Sequence, residues 1–88
     1  MTAHTVTIKL NGGVEQFDPP SLDVKKGDTV SWKNMTERTH TATADDGTFD
    51  TGDIGRGATS TAQQINNTGS IPYTCSYHDW MKGKIVAS

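Results

Sequence analysis

Hydrophobic and polar residues alternate with a period of two along much of the chain. Val6, Ile8 and Leu10 interleave with Thr5, Thr7 and Lys9, the pattern of a half-buried strand. Asn11-Gly12-Gly13 breaks it, and Phe17-Asp18-Pro19-Pro20 forms a rigid extended stretch leading to Leu22 and Val24, which alternate with Asp23 and Lys25. After a turn at Lys26-Gly27-Asp28 the alternation resumes from Thr29 to Asn34, with Val30 and Trp32 on one face. A further strand is predicted over Thr39 to Ala44, where His40, Ala42 and Ala44 share a face. The polar, glycine-punctuated segment from Asp45 to Gly57 predicts a long loop anchored by Phe49 and Ile54. Ala58 to Ile65 is predicted as a strand on its Thr content, Asn66 to Ser70 as a turn, and Lys84 to Ala87 as the last strand. Between them Ile71, Tyr73 and Cys75 alternate with Pro72 and Thr74, which puts the Cys side chain on the face of Ile71 and Tyr73. No useful stretch has a helical period. Seven or eight short strands with turns at this spacing predict an all-β chain, with the strand spacing of an antiparallel sandwich.

Composition narrows the function classes. Eighty-eight residues allow one domain, spanning 1–88, and leave no room for a separate cofactor domain. Only 32% of residues are hydrophobic, so the core is thin and a helical bundle is disfavoured. Eight Lys and Arg against ten Asp and Glu give a formal net charge of -2 with no basic block, and nucleic acid is not an expected partner. No segment approaches the roughly 18 consecutive apolar residues of a membrane span, and Met1 to Leu10 lacks the charged and apolar regions of a signal peptide. A soluble chain is expected, either cytoplasmic or the mature form of a secreted domain. The single Cys excludes an intrachain disulfide and leaves an inert core thiol, a metal ligand or a reactive group.

The informative stretch is Cys75-Ser76-Tyr77-His78-Asp79-Trp80-Met81, a C-x-x-H-x-x-M run between two predicted strands, with His40 on an earlier one. One thiolate, two imidazoles and one thioether are the donor set of a trigonal His₂Cys copper site with a weak axial Met. Thiolate and imidazole tolerate both Cu(I) and Cu(II), and the thioether adds a long bond that imposes no tetragonal geometry. Taken alone, Cys75 would be core and His40 an ordinary strand histidine. The four together favour ligation. Met35 is a rival thioether with no ligand loop around it, and His4 is expected to be a solvated terminal residue. Asp45, Asp46, Asp50 and Asp53 are expected to form a solvated acidic loop rather than a docking patch.

With these residues in place, the chain resembles the small type 1 blue copper proteins, the cupredoxins, and among them the plastocyanin and amicyanin group. The resemblance rests on Phe17-x-Pro19, on Val24-Lys25-Lys26-Gly27-Asp28-Thr29-Val30-x-Trp32-x-Asn34, on His40-Thr41 followed by Asp46-Gly47-x-Phe49-Asp50, and on Tyr73-x-Cys75-x-x-His78-x-x-Met81-Lys82-Gly83. Two residues between His78 and Met81 make the short ligand loop of amicyanin-like members. The resemblance implies a Greek-key β-sandwich, one copper ion held by His40, Cys75, His78 and Met81, and single-electron shuttling between larger redox proteins. It implies no enzymatic activity, a monomer and an extracytoplasmic, periplasmic compartment. Asn34, Thr41 and Tyr77 are expected to support the ligands from outside, and Tyr77, His78 and Trp80 to meet a partner.

Three departures from the family pattern carry expectations of their own. Thr41 stands where Asn is common, so its amide is expected to bond the sulfur and its hydroxyl to replace the Asn brace. Tyr77 stands where many relatives have Pro, and its N–H is expected as a second donor to the sulfur. Thr61 and Gln63 occupy a face that is apolar in relatives, which predicts weak packing there. The rival readings are a copper carrier or chaperone with the same donors, or a domain excised from a larger copper enzyme.

Overall fold

A computed structural model describes all 88 residues and contains eight strands and no helix: β1 (Ala3–Asn11), β2 (Val14–Asp18), β3 (Ser21–Val24), β4 (Thr29–Asn34), β5 (Thr43–Ala44), β6 (Gln63–Gln64), β7 (Gly69–Thr74) and β8 (Lys82–Ala87). They form two four-stranded sheets, ordered β2-β1-β4-β6 and β3-β8-β7-β5. The chain crosses between the sheets at β2 to β3, β3 to β4, β4 to β5, β5 to β6 and β6 to β7, which makes the all-β Greek-key sandwich that the alternation and the family resemblance imply. The pairing is mixed rather than antiparallel throughout. β1 runs parallel to β4, and β3 parallel to β8. Strands that are neighbours in space but separated by a visit to the other sheet are free to run the same way, which spacing along the chain does not reveal.

β1 and β2 form a hairpin in which Asn11 pairs with Val14. The two-residue loop Gly12-Gly13 has φ of 60° and 82°, the positive values that such a turn needs and that glycine adopts without strain. Leu10, at the end of this hairpin, reaches beyond the core and is exposed, whereas Val6 and Ile8 are fully buried. The core between the sheets is one cluster of 17 side chains. At its centre Trp32 stacks on Phe49 and meets Tyr73 edge-on, both with ring centroids 5.3 Å apart, and Phe17 meets Tyr73 edge-on at 4.7 Å. Gly83 pairs with Tyr73 across β7 and β8. A Cβ there would lie 2.3 Å from the phenol ring, so glycine is needed for the Tyr73 side chain to cross the strand.

Two expected strands are shorter than their sequence suggests, for the same reason. Over Thr39 to Ala44 only Thr43–Ala44 is a strand, with His40 making one isolated bridge to Ile54. The amide of Thr41 goes instead to Cys75 Sγ and that of Ala42 to Thr51 Oγ1. Over Ala58 to Ile65 only Gln63–Gln64 is a strand; Trp32 N–H donates to Ser60 Oγ, and Ile65 is the one buried residue. Side-chain partners have taken amides that a ladder would use. The expected weak packing at Thr61 and Gln63 agrees with this exposure.

His4 is not merely solvated. Its Nε2 lies 2.9 Å from Asp28 Oδ2, and the buried Asp28 also accepts from the amides of Thr2 and Lys25. The His4 contact, then the two amides, hold this carboxyl well below the usual range. A depressed carboxyl stabilises the fold above its unfolded pKa, and that contribution disappears as pH falls toward the folded value. Asp28→Asn should therefore lower the urea midpoint at pH 6, and the difference from wild type should close progressively below about pH 4. A difference independent of pH would refute the ionic role.

Candidate metal centre

The side chains of His40, Cys75 and His78 converge at one end of the sandwich because two loops meet there. β4 leads into the segment 35–42, which carries His40, and β7 leads into the loop 75–81, which returns as β8. The second loop is closed at its base, where Cys75 N–H donates to Met81 O at 3.0 Å. Within it, His78 N–H donates to Cys75 O and Met81 N–H to His78 O. Consecutive tight turns thus set the spacing of Cys75, His78 and Met81. The loops are joined through Thr41. Its amide donates to Cys75 Sγ at 3.4 Å, and its hydroxyl oxygen accepts from Ser76 N–H at 2.9 Å.

His40 Nδ1 lies 3.8 Å from Cys75 Sγ, and His78 Nδ1 lies 3.5 Å from the same sulfur. The ligand atoms of the three residues all lie within 4.8 Å of one another. His40, Cys75 and Met81 are each 2% exposed or less, whereas His78 is half-buried. Burial holds the His40 imidazole below its ordinary pKa, against the opposing pull of Glu15, so it is neutral near pH 7 and offers a lone pair. Three of the four sequence-predicted donors, His40, Cys75 and His78, are therefore brought together, and Met81 lies buried at the end of the same loop.

Asn34 is wholly buried and uses every hydrogen-bonding position of its amide. Its Nδ2 donates to Arg38 O at 2.7 Å and Ile54 O at 2.9 Å, while Oδ1 accepts from Thr36 N–H and Thr36 Oγ1. It acts by fixing the 34–40 segment rather than by touching a candidate ligand. The Tyr77 amide makes no hydrogen bond to the sulfur, so that expectation is corrected: Thr41 supplies the only amide donor. Tyr77 is held instead by its phenol, which donates to Asp53 at 2.6 Å. Tyr77 and Trp80 are both more than half exposed, and the Trp80 ring lies 4.9 Å from that of His78. Met35 is exposed and is no rival ligand. Two acidic loop carboxylates brace their own turns, Asp46 accepting from Thr48 N–H and Asp50 from Gly52 N–H, while Asp45 accepts from Thr74 Oγ1 on β7.

Three residues at the site escape the sequence reading. Glu15, from β2, lies 2.9 Å from His40 Nε2; Thr36 Oγ1 lies 2.8 Å from the same atom; and Arg38 pairs with Glu15 while also contacting His78 Nε2. The signal for Glu15 is present in the sequence. Counting by two from Phe17 puts a carboxylate on the inward face of a strand.

Among known proteins, a family model described as a cupredoxin-like domain matches residues 1–87. An amicyanin variant with glycine in place of a proline, in its reduced Cu(I) form at pH 4, is similar with a TM-score of 0.82 and 25% identity, over 98% of this chain and 82% of that one. An oxidised methionine-to-lysine variant of amicyanin is similar with a TM-score of 0.83 and 24% identity, over 98% of this chain and 82% of that one. A purple cupredoxin from Nitrosopumilus maritimus gives a TM-score of 0.80 and 22% identity, over 96% of this chain and 98% of that one. No curated protein sequence matches.

The Asn34 amide gives a stability test. Asn34→Asp keeps the shape but replaces two donors with an acceptor oxygen facing the carbonyls of Arg38 and Ile54. It should cost at least about 2 kcal/mol in urea unfolding. An unchanged midpoint would show that the amide does not hold this segment.

Proposed function

The chain belongs to the cupredoxin-like domain family, and from that premise we propose that residues 1–88 form a single type 1 copper electron carrier in which His40, Cys75, His78 and Met81 hold one copper ion. The observation that carries the proposal is the approach of His40 Nδ1 and His78 Nδ1 to one buried sulfur, at 3.8 and 3.5 Å. Such separations suit donors sharing one ion through bonds of about 2.0 to 2.3 Å. The donor set fits copper, because one thiolate and two imidazoles with a thioether nearby suit both of its common oxidation states. Bound there, copper supplies a one-electron Cu(II)/Cu(I) couple.

The protein's own part is to hold the donors still. Thr41 N–H stabilises charge on the sulfur, and the bonds between Cys75 and Met81 fix the loop that carries three of the four donors. Burial of His40, Cys75 and Met81 keeps water and exchanging ligands away, which favours an electron carrier over a copper chaperone. Half-buried His78 gives the shortest route to the surface. The exposed rings of Tyr77 and Trp80 flank that route, and we assign them with His78 to transient contact with larger redox proteins. The proposal includes a monomer working in an extracytoplasmic, periplasmic compartment, with no catalytic residue. No helix of the protein is long and apolar enough to cross a membrane.

Titration of the metal-free protein with Cu(II) should produce intense visible thiolate-to-copper absorption at one equivalent, and Cys75→Ser should abolish it. A wild-type protein that stays colourless would overturn the proposal.

A further inference from the structure

Glu15 is a carboxylate on the inward face of β2, 8% exposed, at the end of the sandwich where the two loops meet. Its Oε2 lies 2.9 Å from His40 Nε2 and 3.1 Å from Arg38 Nε, and its Oε1 lies 2.9 Å from Arg38 Nη2. A guanidinium only donates, and it approaches both carboxylate oxygens as a fork, the bidentate pairing that favours an ionised carboxylate with acceptor positions only. The hydrogen between Glu15 and His40 therefore sits on Nε2. Thr36 Oγ1, 2.8 Å from the same nitrogen, has acceptors for its own hydrogen in Asn34 Oδ1 at 2.7 Å and Arg38 O at 3.2 Å, so it too accepts from Nε2–H. Two acceptors converge on one ring nitrogen. A neutral imidazole protonated there has its lone pair on Nδ1, the atom that faces Cys75.

We propose that Glu15 is the positioning residue of His40: it fixes the Nε2–H tautomer, aims Nδ1 at the sulfur and places a negative charge behind the ring, with Arg38 as the counter-ion that holds the carboxylate in place. This inference rests on His40 being a copper ligand. It adds that the donor strength of that ligand is set from a strand that belongs to neither ligand loop. A carboxylate bonded to a ligand imidazole orients the ring and raises its basicity, and loss of such a partner commonly lowers metal affinity about 10- to 100-fold. The charge has a direction of its own. It favours the more positive oxidation state of a bound ion, so Glu15 lowers the reduction potential and Arg38 raises it.

Three measurements test this. In the folded metal-free protein, long-range ¹H–¹⁵N correlation spectra should show His40 as the Nε2–H tautomer; an Nδ1–H tautomer would overturn the proposal, and this arm needs neither a variant nor copper. In the copper protein, near-isosteric Glu15→Gln should raise the reduction potential and Arg38→Gln, at a half-exposed side chain, should lower it. Shifts of the same sign, or none, with the charge-transfer band intact would overturn the proposal while leaving the copper reading standing. Glu15→Leu should weaken Zn(II) binding about 10- to 100-fold in competition with a chelator, and an affinity equal to wild type would count against it. Should Glu15→Gln fail to fold, the His40 tautomer still decides the matter, since Arg38 also touches His78 and its shift alone does not report on Glu15. A wild-type protein without the charge-transfer band would instead remove the copper reading, and the tautomer would still report on Glu15.

Discussion

The hydrogen bonds of Thr41 to Cys75 and Ser76 join two loops that no strand pairing brings together at that point. Its amide reaches Cys75 Sγ and its hydroxyl takes the Ser76 amide, so one residue fixes both the sulfur and the first turn after it. The sulfur is then held from the 40–44 side and from its own loop, which is closed between Cys75 and Met81. With the sulfur fixed, the two imidazoles need only the correct rotation to approach it. The lone Cys, which cannot staple this thin-cored domain as a disulfide, sits where a bound ion would cross-link β7 to a segment about 35 residues earlier. Such an ion stabilises only the folded chain.

The end of the sandwich solves a burial problem with the same periodicity that builds the core. Val30 and Trp32 point inward from β4 as apolar residues, and the inward positions that follow are Asn34, Thr36 and His40, all buried. Polar groups taken out of water need partners, and here they supply one another. Asn34 bonds Thr36 and Arg38, Thr36 bonds His40, and Arg38 reaches Glu15, which returns to His40. The chain of contacts ends on a single nitrogen. Sites that must keep one shape through a change of charge benefit from such closed networks, because each group is restrained by more than one neighbour.

Much of this was legible in the sequence. Alternation located β1, β4, β7 and β8, and the C-x-x-H-x-x-M run with His40 identified the residues that the fold brings together. Three parts were hidden, each for a physical reason. Parallel pairing of β1 with β4 depends on the chain visiting the other sheet, which spacing does not encode. The segment around Ala42 alternates like a strand and the one around Ser60 has a strand's Thr content, but their backbone hydrogen bonds are shared with Thr and Ser side chains. Glu15 is legible only after β2 is recognised, since its charge argues for the surface while the period from Phe17 argues for the interior. The Tyr77 amide failed in the other direction. Keeping an N–H that Pro would remove does not aim it at the sulfur, and the residue is anchored by its phenol instead.

Under the proposed function the fold, rather than the ion, sets one donor geometry that serves both oxidation states. X-ray absorption at the copper edge, on oxidised and reduced protein at neutral pH, tests it most directly. One short sulfur and two nitrogen neighbours are expected in both states, with little change in distance between them. A shell without sulfur, or one that gains or loses a ligand on reduction, would contradict it.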